Sequence, residues 1–186
     1  MKRSLKLITI LLQGCNYHCA HCSSNSSPKR TEQVRLDGLL ELLDDFSTKE
    51  ITKQHLVSGG EPTLHPNLDI VLKSSQELGY KTIVVTNCSW MDTKNLKKTE
   101  NYFLNTFPEG IMISSSFDLY HLKQDSHLLE KILLLKQLSA GRNQIMIDGA
   151  YNGKEEFDKI QLSLNGVIKP YLVPCKIWGE QKKFIT

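Results

Sequence analysis

The sequence predicts an α/β protein, an open, partial TIM-like barrel of about six parallel strands and five helices. Short β-branched apolar runs alternate with helix-period patterns along the whole chain. The runs Ile83-Val84-Val85, Ile111-Met112-Ile113 and Ile145-Met146-Ile147 are apolar without alternation, as expected of parallel strands covered on both faces. The 186 residues are also too few for a closed eight-stranded βα barrel, which takes about 250 residues and at least about 200.

Taken in order, the candidate strands are Leu5 to Leu12, Gln54 to Ser58, Thr82 to Thr86, Gly110 to Ser115, Asn143 to Asp148 and Val167 to Val173. Between them the apolar period becomes helical. Leu36, Leu39, Leu40, Leu43 and Phe46 share one face, as do Leu68, Val71, Leu72 and Leu78, with Gly79 placed to follow a helix end. Leu96, Phe103 and Phe107 mark a third helix after an Asp92 cap. Leu128, Leu129, Ile132, Leu135 and Leu138 mark a fourth, ending before Gly141, and Phe157, Ile160 and Leu164 a fifth. The resulting order is β(αβ)5 in one domain spanning residues 1–186. The first step is longer than the later ones by roughly 20 residues, far beyond an ordinary connection between a strand and a helix. The excess lies after strand one, at the sheet edge where ligands of α/β folds bind.

Composition narrows the function classes. With 40% hydrophobic residues the chain can build a core, and 23 Lys+Arg against 20 Asp+Glu leave a net charge of +3, which argues for neither a nucleic-acid nor a membrane-surface partner. No apolar run approaches the ~20 residues of a membrane helix. Met1 to Ser4 and the apolar residues after it lead into Gln13-Gly14-Cys15 with no small-residue cleavage site. Three of the five cysteines crowd into eight residues, a distribution suited to a metal or cluster site in a reducing compartment rather than to a disulfide framework. The expectation is a cytoplasmic protein.

The crowded stretch, Cys15-Asn16-Tyr17-His18-Cys19-Ala20-His21-Cys22, has the spacing Cys-x3-Cys-x2-Cys. Three thiolates on one loop suit three irons of a [4Fe-4S] cluster, leaving the fourth iron open. Zinc is the alternative, with Cys15, Cys19, Cys22 and either His18 or His21 as a Cys3His set.

Strand two ends in Ser58-Gly59-Gly60-Glu61-Pro62. Glycines there let the backbone approach a ligand, and a neighbouring carboxylate can accept from an ammonium group. Together with the cysteine loop, this motif resembles the radical S-adenosylmethionine (radical SAM) superfamily, over nearly the whole chain from Leu5 to about Val173. The resemblance implies that Cys15, Cys19 and Cys22 ligate a [4Fe-4S] cluster whose open iron is chelated by S-adenosylmethionine (SAM). It implies that Gly59, Gly60, Glu61 and Pro62 form the loop that orients the methionine ammonium. Asn87, after strand three, and Ser116 and Asp118, after strand four, resemble further cofactor contacts, while His21 stands where an aromatic residue commonly packs near the adenine. The reaction implied is reductive cleavage of SAM to a 5'-deoxyadenosyl radical that abstracts a hydrogen from a peptide or small-molecule substrate. An electron donor such as flavodoxin or ferredoxin is implied as partner.

Two departures carry consequences. Cys88 replaces a frequent glycine, so the backbone either turns differently or holds a left-handed residue at a penalty of ~1 to 2 kcal/mol. Ile147-Asp148-Gly149 is only a loose counterpart of a glycine-rich adenine motif. Cys88 and Cys175, too few for a second four-cysteine cluster, are candidate hydrogen-atom donors or else small buried hydrophobes. His65 and His121 are candidates for substrate contact or for capping. Two other readings stand beside the leading one: an activase that installs a glycyl radical on a partner enzyme, and a non-catalytic zinc or iron-sulfur binding protein.

Overall fold

A computed structural model describes residues 4–48, 52–164 and 170–174. Its strands are β1 (Ser4–Ile10), β2 (Thr52–Ser58), β3 (Lys81–Thr86), β4 (Met112–Ser116), β5 (Gln144–Tyr151) and β6 (Pro170–Pro174). They form one sheet in the order β1-β2-β3-β4-β5-β6, every neighbouring pair parallel. Among the described residues β1 and β6 do not pair, so the barrel is open as expected. Pro170 is tolerated because β6 is the last strand of the sheet among the described residues.

Among the described residues the α-helices number six rather than five: α1 (Leu36–Ser47), α2 (Leu68–Glu77), α3 (Leu96–Thr106), α4 (Leu119–Gln124), α5 (Leu128–Ser139) and α6 (Lys154–Ser163). The unforeseen α4 is six residues long, too short to show a helical period in sequence. The cap of α3 is Asn95, whose side chain accepts from the Lys98 N–H at 3.1 Å, and not Asp92. Gly79 and Gly141 follow α2 and α5 with φ of +78° and +72°, the left-handed turn that ends a helix. The first strand stops at Ile10, two residues short of expectation, because Leu11 and Leu12 turn inward to bracket the long loop. Leu12 bridges Gln33 and Gly14 bridges Ser27.

Strand register separates two faces. Val57, Val84 and Ile113 share one row and are fully buried, in a core with Leu43, Leu72, Phe103, Leu135 and Ile160 from the surrounding helices. His55, also fully buried on this face, lies 2.8 Å from Thr9 Oγ1 and 2.6 Å from Ser75 Oγ. The Ser75 hydroxyl donates to the Val71 carbonyl, so it accepts from His55 Nδ1, and Nε2 accepts from Thr9. Burial holds this imidazole neutral, its pKa down to about 4. The other face is concave. Ile8, Leu56, Ile83 and Met112 share a row there, and Ile8 and Ile10 stand 55% and 41% exposed at its open side.

Candidate functional site

A cavity of about 290 Å³ lies at the C-terminal end of the sheet, between the concave face and the loop after β1, near the lower end of small-molecule site volumes. Cys15, Cys19 and Cys22 all line it as half-buried free thiols. Local backbone sets their directions. Cys15 Sγ accepts from the Tyr17 N–H at 3.4 Å, and Cys22 Sγ from the Ser26 N–H at 3.3 Å. Asn25, left-handed at φ +50°, supplies the turn between Cys22 and Ser26, a conformation Asn tolerates through its short polar side chain. Burial pushes the Cys15 thiol up to about 11; the Tyr17 N–H opposes this, while charge on Glu61, Cys19 and Cys22 adds to it.

Two loops dock here backbone to backbone. The Gly60 N–H donates to the Leu12 carbonyl at 2.7 Å and the Glu61 N–H to the Gly14 carbonyl at 3.0 Å. Gly59, at φ +142°, and Gly60 line the cavity, and a Cβ on Gly60 would fall 1.9 Å from Gly14 O. These glycines therefore serve the approach of one loop to the other. Glu61 is fully buried and does not line the cavity. Its Oε1 accepts from the Thr63 N–H and from the Thr63 and Thr86 hydroxyls, and its Oε2 from the Asn87 N–H at 2.7 Å. Burial raises its pKa in spite of these donors. Pro62, also buried, opens a 3-10 turn, Pro62–Leu64. Glu61 and Pro62 thus act as a staple between β2 and β3, leaving the Gly59 and Gly60 backbone to face a ligand.

Asn87 lines the cavity, but its side chain is turned to the cysteine loop. Its amide donates to Asn16 Oδ1 at 3.1 Å and faces Cys15 Sγ at 3.7 Å. Ser116 and Asp118 also line the cavity. Asp118, 1% exposed, is already saturated. Oδ1 accepts from the Tyr120 and His121 N–H groups and from His121 Nδ1 at 2.8 Å; Oδ2 accepts from the Ala150 N–H at 3.1 Å and pairs with His21 Nε2 at 3.1 Å. The three ligand atoms of His21, Asp118 and His121 lie within 4.8 Å of one another, yet these donors leave the carboxylate little capacity for an ion. Asp118 instead ties the cysteine loop, α4 and β5 together. His21 packs against Tyr120 at 4.3 Å between centroids with the rings tilted by 33°, and its Nδ1 is buried without a protein partner.

His121 joins the site through Asp118. His65 holds its own turn, Nδ1 accepting from the Asn67 N–H. Gly149 lines the cavity and is required as glycine because a Cβ there would meet Phe117 O at 2.2 Å. Of the two alternatives for its backbone, Cys88 takes the left-handed one, at φ +59°. It is fully buried on the helix side, 3.2 Å from Ser115 Oγ, and does not line the cavity. Burial pushes its thiol up to about 12. A hydrogen-atom donor needs access that Cys88 lacks, so Cys88→Ala is expected to leave iron uptake and SAM cleavage at wild-type levels while costing about 1 kcal/mol of stability for the lost packing. Loss of product formation in that variant would restore the donor role. Cys175 lies outside the described residues.

Among the cavity-lining residues that were not sequence candidates are Tyr17, Ser24 and Tyr171; Asp148, also on the wall, entered only through the loose Ile147-Asp148-Gly149 motif. The Tyr17 hydroxyl donates to Asp125 Oδ2 at 3.1 Å, and Asp125 pairs with Lys131 at 2.7 Å. Asp148 faces Ser116 across the β4–β5 register, with Oδ1 buried and unpartnered. Burial raises its pKa, opposed by the Ser116 hydroxyl. A carboxylate in an otherwise apolar strand was the signal available for it. Tyr17, Ser24 and Tyr171 carried no such signal.

The family model described as "Radical SAM superfamily" matches residues 9–152. The chain belongs to the radical SAM superfamily. Among its relatives, 7-carboxy-7-deazaguanine synthase of Aquifex aeolicus is 28% identical over 108 residues, 58% of this chain and 48% of the relative. The antilisterial bacteriocin subtilosin biosynthesis protein AlbA of Bacillus subtilis is 29% identical over 109 residues, 58% of this chain and 23% of the relative. The match thus spans less than half the length of either. In structure, SuiB of Streptococcus suis bound to S-adenosylmethionine superposes with a TM-score of 0.66 at 16% identity, covering 92% of this chain and 40% of SuiB. The enzyme anSMEcpe with bound AdoMet and peptide gives 0.64 at 17% identity, covering 93% and 52%.

Radical SAM proteins use a [4Fe-4S] cluster and SAM, and the cysteine geometry fits the cluster better than zinc. Thiolates on one tetrahedral zinc lie about 3.8 Å apart, given Zn–S bonds of about 2.3 Å. Among the described residues the three thiols do not gather within 4.8 Å of one another, whereas a cluster holds each cysteine on a separate iron. His21 groups with Asp118 and His121 rather than with the cysteine thiols. No helix among the described residues is long and apolar enough to cross a membrane.

Proposed function

We propose that the chain is a radical SAM enzyme that abstracts a hydrogen atom from a peptide substrate. The observation that carries this reading is the set of three free thiols gathered on a ligand-sized cavity beside the Gly59-Gly60 backbone. Cys15, Cys19 and Cys22 would hold the cluster. The Gly59 carbonyl would accept from the cofactor ammonium, the His21–Tyr120 pair would wall the adenine, and Ser116 with Asp148 would accept from hydroxyl groups. When bound, cluster and SAM supply one-electron cleavage to a carbon radical, with the electron from an external donor such as flavodoxin or ferredoxin. The protein's part is to hold, orient and exclude water, for which buried Tyr17 and half-buried Leu56 and Val85 are placed on the cavity wall.

Two observations favour a peptide over a small metabolite. The concave face is open and carries exposed Ile8 and Ile10, and fold relatives include SuiB bound to the precursor peptide SuiA. The activase reading draws on a 32% identity over 82 residues to a putative glycyl-radical enzyme activating enzyme of Methanocaldococcus jannaschii. Anaerobic reconstitution with iron, sulfide and reductant is expected to yield a cluster-loaded protein that forms 5'-deoxyadenosine from SAM. Folded protein with neither bound iron nor SAM cleavage would exclude the reading. Deuterium passing from a labelled peptide into 5'-deoxyadenosine identifies the substrate, and a glycyl radical seen by electron paramagnetic resonance on an added partner enzyme would favour the activase.

A further inference from the structure

Ser24 sits where the cluster side and the cofactor side of the cavity meet. Its hydroxyl lies 3.4 Å from Cys22 Sγ, 2.8 Å from Ser26 Oγ and 3.0 Å from the Gly59 carbonyl oxygen. The left-handed Asn25 that follows it turns the chain so that Ser24 Oγ and the Ser26 N–H both address the same sulfur. Three neighbours share one hydroxyl proton, so the network has only a few consistent arrangements. With Cys22 as a thiol, Ser24 donating to the Gly59 carbonyl requires the Cys22 thiol and the Ser26 hydroxyl both to donate into Ser24 Oγ.

Iron ligation changes this balance, because a cysteine binds metal as the thiolate and its sulfur then only accepts. Resting on the radical SAM reading, we propose that Ser24 is a positioning residue that couples the cluster to the cofactor loop: once Cys22 carries iron, the Ser24 hydroxyl turns from the Gly59 carbonyl to Cys22 Sγ. Ser26 Oγ continues to donate into Ser24, so the rotated hydroxyl keeps both a donor and an acceptor. The turn does two things. It adds an O–H···S bond to a cluster ligand, which stabilises the reduced, more negative cluster and raises its reduction potential. It also frees the Gly59 carbonyl, on the cavity wall, to accept from an ammonium group.

The test uses the reconstituted full chain, the midpoint potential from titrations followed by electron paramagnetic resonance, and SAM affinity from anaerobic calorimetry. Ser24→Ala is expected to move the potential to more negative values and to leave the SAM Kd unchanged, since the Gly59 carbonyl is free in both loaded proteins. Ser24→Thr, which keeps the hydroxyl, is expected to restore the wild-type potential. Ser26→Ala, which alters the same loop but touches Cys22 only through its retained backbone N–H, is expected to leave the potential in place. The opposite pattern in Ser24→Ala, an unchanged potential with altered SAM affinity, would make Ser24 a fixed strut to Gly59 and overturn the proposal. So would an equal shift in Ser26→Ala, or a Ser24→Ala protein that takes up no iron while Ser26→Ala loads normally. Failure of the wild type to bind iron would instead strike the radical SAM reading beneath it.

Discussion

Gly60→Ala is expected to give a protein with its sheet intact that takes up little or no iron and does not cleave SAM. Gly60 has no positive φ, so backbone strain is not the reason. Its added Cβ would lie 1.9 Å from Gly14 O, 2.5 Å from Gly14 C and 3.1 Å from Cys15 Cβ. The first two are backbone atoms of the segment that carries the first cluster cysteine, and no rotamer change relieves them. Relief requires the two loops to part by more than 1 Å, which breaks the bonds from Gly60 N–H to Leu12 O and from Glu61 N–H to Gly14 O. Each such bond contributes roughly 1 kcal/mol, but the larger consequence is displacement of Cys15 relative to Cys19 and Cys22. Iron and sulfide per chain after reconstitution, beside far-ultraviolet circular dichroism, measure this. Gly38→Ala is the companion variant: Gly38 lies inside α1 with nothing within 4 Å of an added Cβ, and the change is expected to stabilise by roughly 0.5–1 kcal/mol with normal iron uptake. Normal loading of Gly60→Ala would show that the loops are not held in this contact.

What was legible in the sequence depended on how far each signal reached. Continuous apolar runs such as Ile83-Val84-Val85 marked buried parallel strands, and all six strands are present in order. The cysteine spacing is local, and its three residues do meet one cavity. The roles of Glu61, Asn87 and Asp118 were harder to read, because a polar residue after a strand looks the same whether it faces a ligand or holds a neighbouring loop. Only the fold shows that Glu61 is closed off by Thr63, Thr86 and Asn87, and that Gly60 and Gly149 are glycines because other backbone lies against them. Ser24 in a serine-rich segment and Tyr17 between two cysteines reach their partners across 35 and 108 residues, distances at which no periodicity carries information. The short α4 was hidden for a different reason: six residues do not complete two turns.

Asp118→Ala is expected to be the most destabilising single change at the site, on the order of 3–5 kcal/mol, because it removes one partner of a buried charged pair and strands three backbone N–H groups. Those donors are Tyr120, His121 and Ala150, joined by the rings of His21 and His121. Against a total stability of about 5–15 kcal/mol for a domain, such a loss places the variant near the edge of folding. Asp118→Asn keeps an acceptor oxygen without the charge and is the variant in which pH dependence can be read. Burial pulls His121 down, but hydrogen bonds with Asp118 and Cys19 outweigh it and raise the pKa from 6.5 to about 10. Burial likewise raises Asp118, and the hydrogen bonds and charge of His121 and His21 outweigh that, holding its carboxyl well below the usual carboxylate range. A raised histidine contributes stability that is complete below its unfolded pKa and is lost as pH rises through the folded one. A depressed carboxylate contributes stability that is complete above its unfolded value and is lost as pH falls through the folded one. The pair therefore contributes fully between about pH 4 and pH 6.5, and its contribution fades on the alkaline side as pH approaches 10. Urea midpoints of the iron-free protein should show the advantage of wild type over Asp118→Asn shrinking from pH 6 to pH 10, the free thiols being common to both. An advantage that stays constant over that interval would mean that His121 carries no proton supported by Asp118, and the tie between Asp118 and α4 would then rest on neutral hydrogen bonds alone.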